Sequence, residues 1–268
     1  LLWWDPALPI STVPPPLHWT ASGALPIAVA RSAWGDLRAS YLAIKGGTPN
    51  HSHGHMDVGS FILEADGVRW ALDLGTESYD KMRAAKLDLW NYAQDSSRWS
   101  TFRVGPDGHN LIRFDGAPQR IAGRGEVRAL PARDGALGNV VDLTSLYSDR
   151  VVRVERRATL QANRSIAIED EWTTLAAATH VTWQWLTRAD VTPRAGGATL
   201  RQDGQTLHLR YSSNLPARLE VEDVSQPRHS WDSANPGLRR VVIHLDAPAA
   251  TTSHLRVIAS PGSAPTSP

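Results

Sequence analysis

The chain has 268 residues, with 28 Lys and Arg against 27 Asp and Glu for a formal net charge of +1, enough for one large all-β domain or two ordinary ones. That balance excludes a polybasic surface for nucleic acid or membrane. The absence of cysteine excludes thiolate metal sites, disulfides and cysteine nucleophiles, and no apolar run approaches the roughly 20 residues of a membrane span.

The chain begins at Leu1 without a basic leader segment, which reads as a fragment or a processed product. Residues 1–26 are Pro-rich and irregular, with Pro14, Pro15 and Pro16 in a row, and read as a linker from something upstream. Strands are expected from Ile27, with good alternation from Leu37 to Gly46. The runs Ser60–Ala65 and Val68–Leu74 flank Asp66-Gly67, the strongest local hairpin signal a sequence offers. In 80–94, Met82, Ala85, Leu89 and Tyr92 recur at helical spacing without Pro or Gly, which predicts a short helical insertion. From 125 to 260, short apolar runs alternate with polar turns and carry no helical period. The fold class expected is all-β, a large antiparallel β-sandwich of the supersandwich type, over 27–260. The Pro- and Ser-rich end, 261–268, is expected to be disordered.

Two compositional features bear on ligands. The basic residues are almost all Arg, which suits carboxylate and sulfate recognition and equally reflects a GC-rich genome. Eleven Trp offer faces for sugar rings, although most are read as core-filling.

One segment stands apart: Asn50-His51-Ser52-His53-Gly54-His55-Met56-Asp57, where three of the ten histidines lie two residues apart. On an extended chain these side chains and Asp57 share a face, which makes a plausible divalent-metal site or, more blandly, a solvated polar strand. Asp73 lies between Leu72 and Leu74, so it is either buried with partners or functional. His109-Asn110 follows a Gly turn and precedes an apolar strand.

The ordered string Asn50–Phe61, Arg69-Trp70-Ala71-Leu72-Asp73-Leu74-Gly75, Trp90-Asn91-Tyr92 and His109-Asn110 resembles the C-terminal domain of heparinase II/III-like polysaccharide lyases. That resemblance implies a largely structural metal, usually zinc, held by His55, Asp73 and His109. It implies that His53 faces substrate, as base or as partner of the uronate carboxylate, and that Tyr92 contacts the sugar or serves as accessory acid. His51, Asn50, Arg98 and Arg103 are candidate contacts for an anionic polysaccharide. It also implies an upstream (α/α) toroid that supplies the remaining catalytic groups, and a periplasmic or secreted location.

The metal triad carries a geometric condition. A two-residue turn at Asp66-Gly67 sets Asp73 opposite Ser60, roughly 16 Å from His55 along a straight strand. The chain must bend between His55 and Gly59, which Gly54 and Gly59 permit. Three rival readings remain. A cupin-type site needs a Glu where Gly59 and Ser60 stand. A metallohydrolase needs an acidic base, which Asp57 can supply. A sugar-binding sandwich without catalysis needs neither.

Overall fold

A computed structural model describes residues 13–262; residues 1–12 of the expected linker and 263–268 of the expected tail lie outside the described residues. Among the described residues the strands form three sheets, and every pairing between them is antiparallel. The first, of five strands in sequence order, runs His18–Ala21, Ile27–Arg31, Tyr41–Lys45, Phe61–Ala65 and Val68–Ala71. Strand structure therefore starts before Ile27, inside the segment read as linker, and the last strand, Thr252–Pro261, enters the segment read as tail.

The second sheet has eight strands in the spatial order Asp190–Arg194, Gly197–Gln202, Gln205–Ser213, Thr252–Pro261, Ile166–Thr174, Val151–Leu160, Leu137–Asp142 and Val127–Ala129. The third has four: Ala217–Asp223, Arg239–Ala247, Thr179–Thr187 and Ile112–Phe114. The five- and four-stranded sheets meet where Leu72 N–H donates to the Leu186 carbonyl and the Trp185 indole donates to the Trp70 carbonyl at 2.8 Å. One continuous core draws on all three sheets, including Ile44, Phe61, Trp183, Val241, Val154, Ile168 and Val257. Trp70, Trp172, Trp183 and Trp185 are fully buried in it, so filling the sandwich accounts for these four.

Local chemistry explains the elements that matter for the site. Asp66 and Gly67 have φ of 53° and 76°, the left-handed pair of a tight hairpin turn. A bulge between Leu63 and Glu64 shifts the register of that hairpin. The expected helix is shorter than 80–94: it covers Tyr79–Ala84, capped by the Ser78 hydroxyl, and ends at Ala85 before Lys86 at φ 57°. Six residues hold too few backbone bonds to propagate a helix alone. Leu89 is instead buried by a folded loop that Ser97 ties down through the Asp88 N–H at 3.0 Å.

A buried ion pair joins the sheets beneath the connecting loops. Arg156 and Asp170 are both fully buried and make two parallel bonds of 2.8 and 3.0 Å. The same guanidinium donates to the carbonyls of Gly59 at 2.8 Å and Asn110 at 2.7 Å. Asp170→Asn leaves that cation buried without its counter-charge and is expected to lower stability by about 3–5 kcal/mol. Urea denaturation measures it, and an unshifted midpoint would contradict this role.

Candidate metal centre and adjoining cleft

The histidine segment is not a strand. From Gly46 to Ser60 the chain runs through turns and bends apart from a single bridge at Gly47. Gly54 N–H donates to the His51 carbonyl, and a side chain at Gly54 would place its Cβ 2.4 Å from the Pro49 carbonyl oxygen, so only glycine fits. Ser60 N–H then closes a turn onto the Asp57 carbonyl, with Gly59 at φ 86°. This is the bend that the sequence geometry required. Because the backbone coils, the four side chains do not share a face: His51 and His53 lie toward solvent, while His55 and Asp57 turn inward.

Inside, the ligand atoms of His55, Asp57 and His109 all lie within 4.8 Å of one another. The His55 and His109 rings stand 5.4 Å apart. His109 is fully buried, and its position is set by Asn110, whose side chain donates to the carbonyls of Phe61 and Leu72 and accepts from Leu186 N–H. Asp73 lies 2.9 Å from His109 Nδ1 through Oδ2, and its Oδ1 accepts from Gly75 N–H. The structure thus brings His55 and His109 together, places Asp73 against His109, and adds Asp57. Asp57 is 6% exposed and is paired with Lys45 through Oδ2.

The electrostatics suit a cation. Burial, reinforced by His109, pushes His55 down to about 4, so near neutral pH it presents a lone pair. Burial disfavours the charged form of Asp73, but the adjoining His109 and the Gly75 N–H outweigh it and hold the carboxyl well below its usual range. Burial likewise works against charge on His109, and Asp73 overrides it to raise the imidazole. His109 Nε2 and Asp57 Oδ1 are buried without a hydrogen-bond partner. Such orphans cost about 1–3 kcal/mol each, and a divalent ion would satisfy both, so the residues present fit a metal.

Outside, His53 is held at φ 60°. Its backbone N–H donates to Tyr92 Oη at 2.9 Å, and its Nδ1 pairs with Tyr79 Oη at 2.8 Å. Its Nε2 has no protein partner among the described residues. Trp90, 54% exposed, packs edge-on to both His53 and Tyr79. A cleft lined by His53, His55, Thr76, Glu77 and Tyr79 links this cluster to the metal centre. Sequence reasoning joined His53 with Tyr92 but missed Tyr79, which opens the short helix and whose preceding Ser78 cap was the available signal.

Two arginines are placed differently from expectation. Arg98 is fully buried and donates to the carbonyls of Leu89 and Gly54 at 2.5 and 2.7 Å, with its guanidinium 4.9 Å from the Tyr92 ring. It brackets two loops and does not meet solvent, so it is not a sugar contact. Arg103 is largely committed to Asn235 Oδ1, at 2.7 and 3.0 Å, and to the Thr76 carbonyl. Its role is to tie the 73–77 loop to the 225–235 loop. Asn50 is exposed and lines a second cleft with Tyr92, Gln94 and Arg120, while His51 bonds the Ser52 carbonyl.

The chain is thus a three-sheet antiparallel sandwich with a histidine–carboxylate cluster on its connecting loops. The family model described as Heparinase II/III-like, C-terminal, matches residues 17–262, and the chain belongs to that family. Among solved structures, a heparinase III aligns with a TM-score of 0.63 at 16% identity, over 90% of this chain and 36% of that one. A mutant of the heparan sulfate lyase HepC from Pedobacter heparinus aligns with a TM-score of 0.69 at 19% identity, over 96% of this chain and 38% of that one. These likenesses establish the fold, and the chain spans little more than a third of either protein. No curated protein matches the chain significantly.

The placement of Arg98 has a measurable consequence. Arg98→Met leaves the Leu89 and Gly54 carbonyls unpaired and is expected to cost about 1–3 kcal/mol for each, read as a lower thermal midpoint. A variant as stable as the wild type would contradict this bracketing role.

Proposed function

We propose that this chain is the β-sandwich part of a polysaccharide lyase that cleaves a uronic-acid-containing polysaccharide by β-elimination. The observation that carries the reading is the exposed His53, held between Tyr79 and Tyr92 beside the inner histidine cluster. A C5 proton next to a uronate carboxylate becomes removable once the carboxylate charge is neutralised and the developing enolate is stabilised. A base then takes that proton and an acid protonates the departing O4. In this chain His53 Nε2 faces the cleft as base or carboxylate partner, and Tyr92 serves as sugar contact or accessory acid. Trp90 adds an exposed ring face for the sugar. Tyr79 sets the tautomer: accepting from Nδ1–H it leaves Nε2 with the lone pair a base needs, and donating to Nδ1 it makes Nε2 a donor.

In the same reading, His55 and His109 hold a divalent ion, zinc being the family expectation, completed by a carboxylate that stands beside His109. Asp73 is the ligand that the family resemblance implies, and Asp57 is the acid whose unpaired oxygen lies within the cluster. The ion would supply a positive charge that pins His55, and with it the turn that carries His53. Because the chain spans little more than a third of its structural neighbours, an (α/α) toroid upstream is proposed to complete the catalytic site. The fold shared with the heparan sulfate lyase from Pedobacter heparinus puts heparan sulfate first among the polymers to test. A periplasmic or secreted location follows from such a substrate.

Two measurements test this. Elemental analysis of the purified chain is expected to find about one tightly held zinc, lost in His55→Ala; Asp73→Asn and Asp57→Asn then show which carboxylate ligates, by which of them loses the ion. Retention of metal in all three variants would sink the centre. For catalysis, the polypeptide that carries this chain with its neighbouring domain is expected to generate the unsaturated-uronate absorbance from heparan sulfate. His53→Ala should lower kcat by roughly 10²–10⁴-fold and Tyr79→Phe by less. Sugar binding without any such product would favour the non-catalytic binding module.

A further inference from the structure

A second pair of histidines lies on the outer face of the four-stranded sheet, where His180 on Thr179–Thr187 and His244 on Arg239–Ala247 stand on neighbouring strands. Their rings are 5.5 Å apart, nearly the 5.4 Å separation of His55 and His109. His180 Nε2 and His244 Nδ1 face each other at 3.3 Å. Asp246 Oδ1 lies 2.8 Å from His180 Nδ1, whereas the carboxylate near His244 Nε2, Glu220 Oε2, is 3.7 Å away and leaves that buried nitrogen without a hydrogen bond.

Asp246 decides the tautomer of His180. A carboxylate accepts and does not donate, so His180 Nδ1 is the N–H and its inner Nε2 keeps the lone pair. His244 Nδ1 meets that lone pair at 3.3 Å, either as an N–H donor or as a second lone pair with a cation between them. A shared proton draws hydrogen-bonded heavy atoms to about 2.7–3.2 Å. Nitrogens bound about 2.0–2.1 Å from one tetrahedral ion stand roughly 3.3 Å apart. A histidine whose far nitrogen donates to a carboxylate is also the usual form of a metal-ligating imidazole.

We propose that His180 and His244 form a second binding site, for a late divalent transition ion such as Zn²⁺, Ni²⁺ or Cu²⁺, on the outer face of this sheet. Imidazole pairs select this class of ion over Mg²⁺ or Ca²⁺. The surrounding charge is compatible: Asp246, Glu220 and Asp115, which accepts from His180 N–H, outnumber Arg218, and Arg218 is itself paired with Glu220. His180 is about half exposed and His244 mostly covered, so an ion can arrive from solvent and water can fill its remaining positions. Bound there, it would cross-link the two central strands of the sheet.

The test is calorimetric titration of the purified chain with Ni²⁺ and with Zn²⁺, beside His180→Ala, His55→Ala and His254→Ala. His254 is an exposed histidine elsewhere and serves as the control. Two saturable sites are expected in the wild type and in His254→Ala, and one in each of the other variants. Asp246→Asn should weaken the outer site roughly tenfold. Zn²⁺ should raise the melting temperature of His55→Ala but not of a His55→Ala/His180→Ala double variant. Loss of a site in His180→Ala with none lost in His55→Ala would sink the inner centre and leave this one standing. Identical stoichiometry and affinity in His180→Ala and wild type would overturn the outer site and assign the pair a shared proton.

Discussion

The site rests on one buried cation. Arg156 reaches from the eight-stranded sheet through the core, is neutralised by Asp170, and spends its remaining donor on the carbonyls of Gly59 and Asn110. One carbonyl ends the turn that carries His55 and Asp57; the other follows His109 directly. Loops that meet over a sandwich are ordinarily its most mobile parts. Here two of them hang from a single guanidinium whose own burial is tolerable only because it is paired. Asn110 repeats the device at the next level, joining Phe61, Leu72 and Leu186 through one amide.

That support lets a short segment serve two environments. His55 and Asp57 turn inward to the His109 cluster, while His53, two residues away, sits at positive φ among Tyr79, Tyr92 and Trp90. Arg98 makes the arrangement possible from beneath, bracketing Gly54 and Leu89 and lying against the Tyr92 ring. An ion on the inner side would stiffen the turn that presents His53 on the outer side. The inner histidine–carboxylate cluster and the outward-facing His53 imidazole are thus mechanically one feature.

Much of this was legible in the sequence, for local reasons. Asp66-Gly67 encodes its hairpin through two left-handed residues, and the late strands encode themselves by alternation. The motif string from Asn50 to Asn110 pointed to the family that the chain belongs to. Alternation misled at residues 50–57, because period-two reasoning presumes an extended chain and this one coils around Gly54. Arg98 and Arg103 looked like surface arginines, since the carbonyls and the Asn235 amide that bind them come from other loops. Tyr79 was missed for the same reason: the Ser78 cap marks only the start of its helix, and the histidine it contacts lies 26 residues away. Asp57 and Asp73 could not be ranked from spacing, because their hydrogen bonds to Lys45, Gly75 and His109 decide which oxygen is free.

The central claim is that the Arg156-anchored loops assemble a metal centre from His55, His109 and a neighbouring carboxylate. Anomalous diffraction from crystals of the purified chain, collected on either side of the zinc absorption edge, tests it most directly. The account predicts a strong peak within coordination distance of the His55 and His109 rings, distinct from any at the outer His180–His244 pair, with Asp57 or Asp73 completing the set. Well-ordered histidines at that position with no anomalous peak, after growth in added zinc, would contradict it.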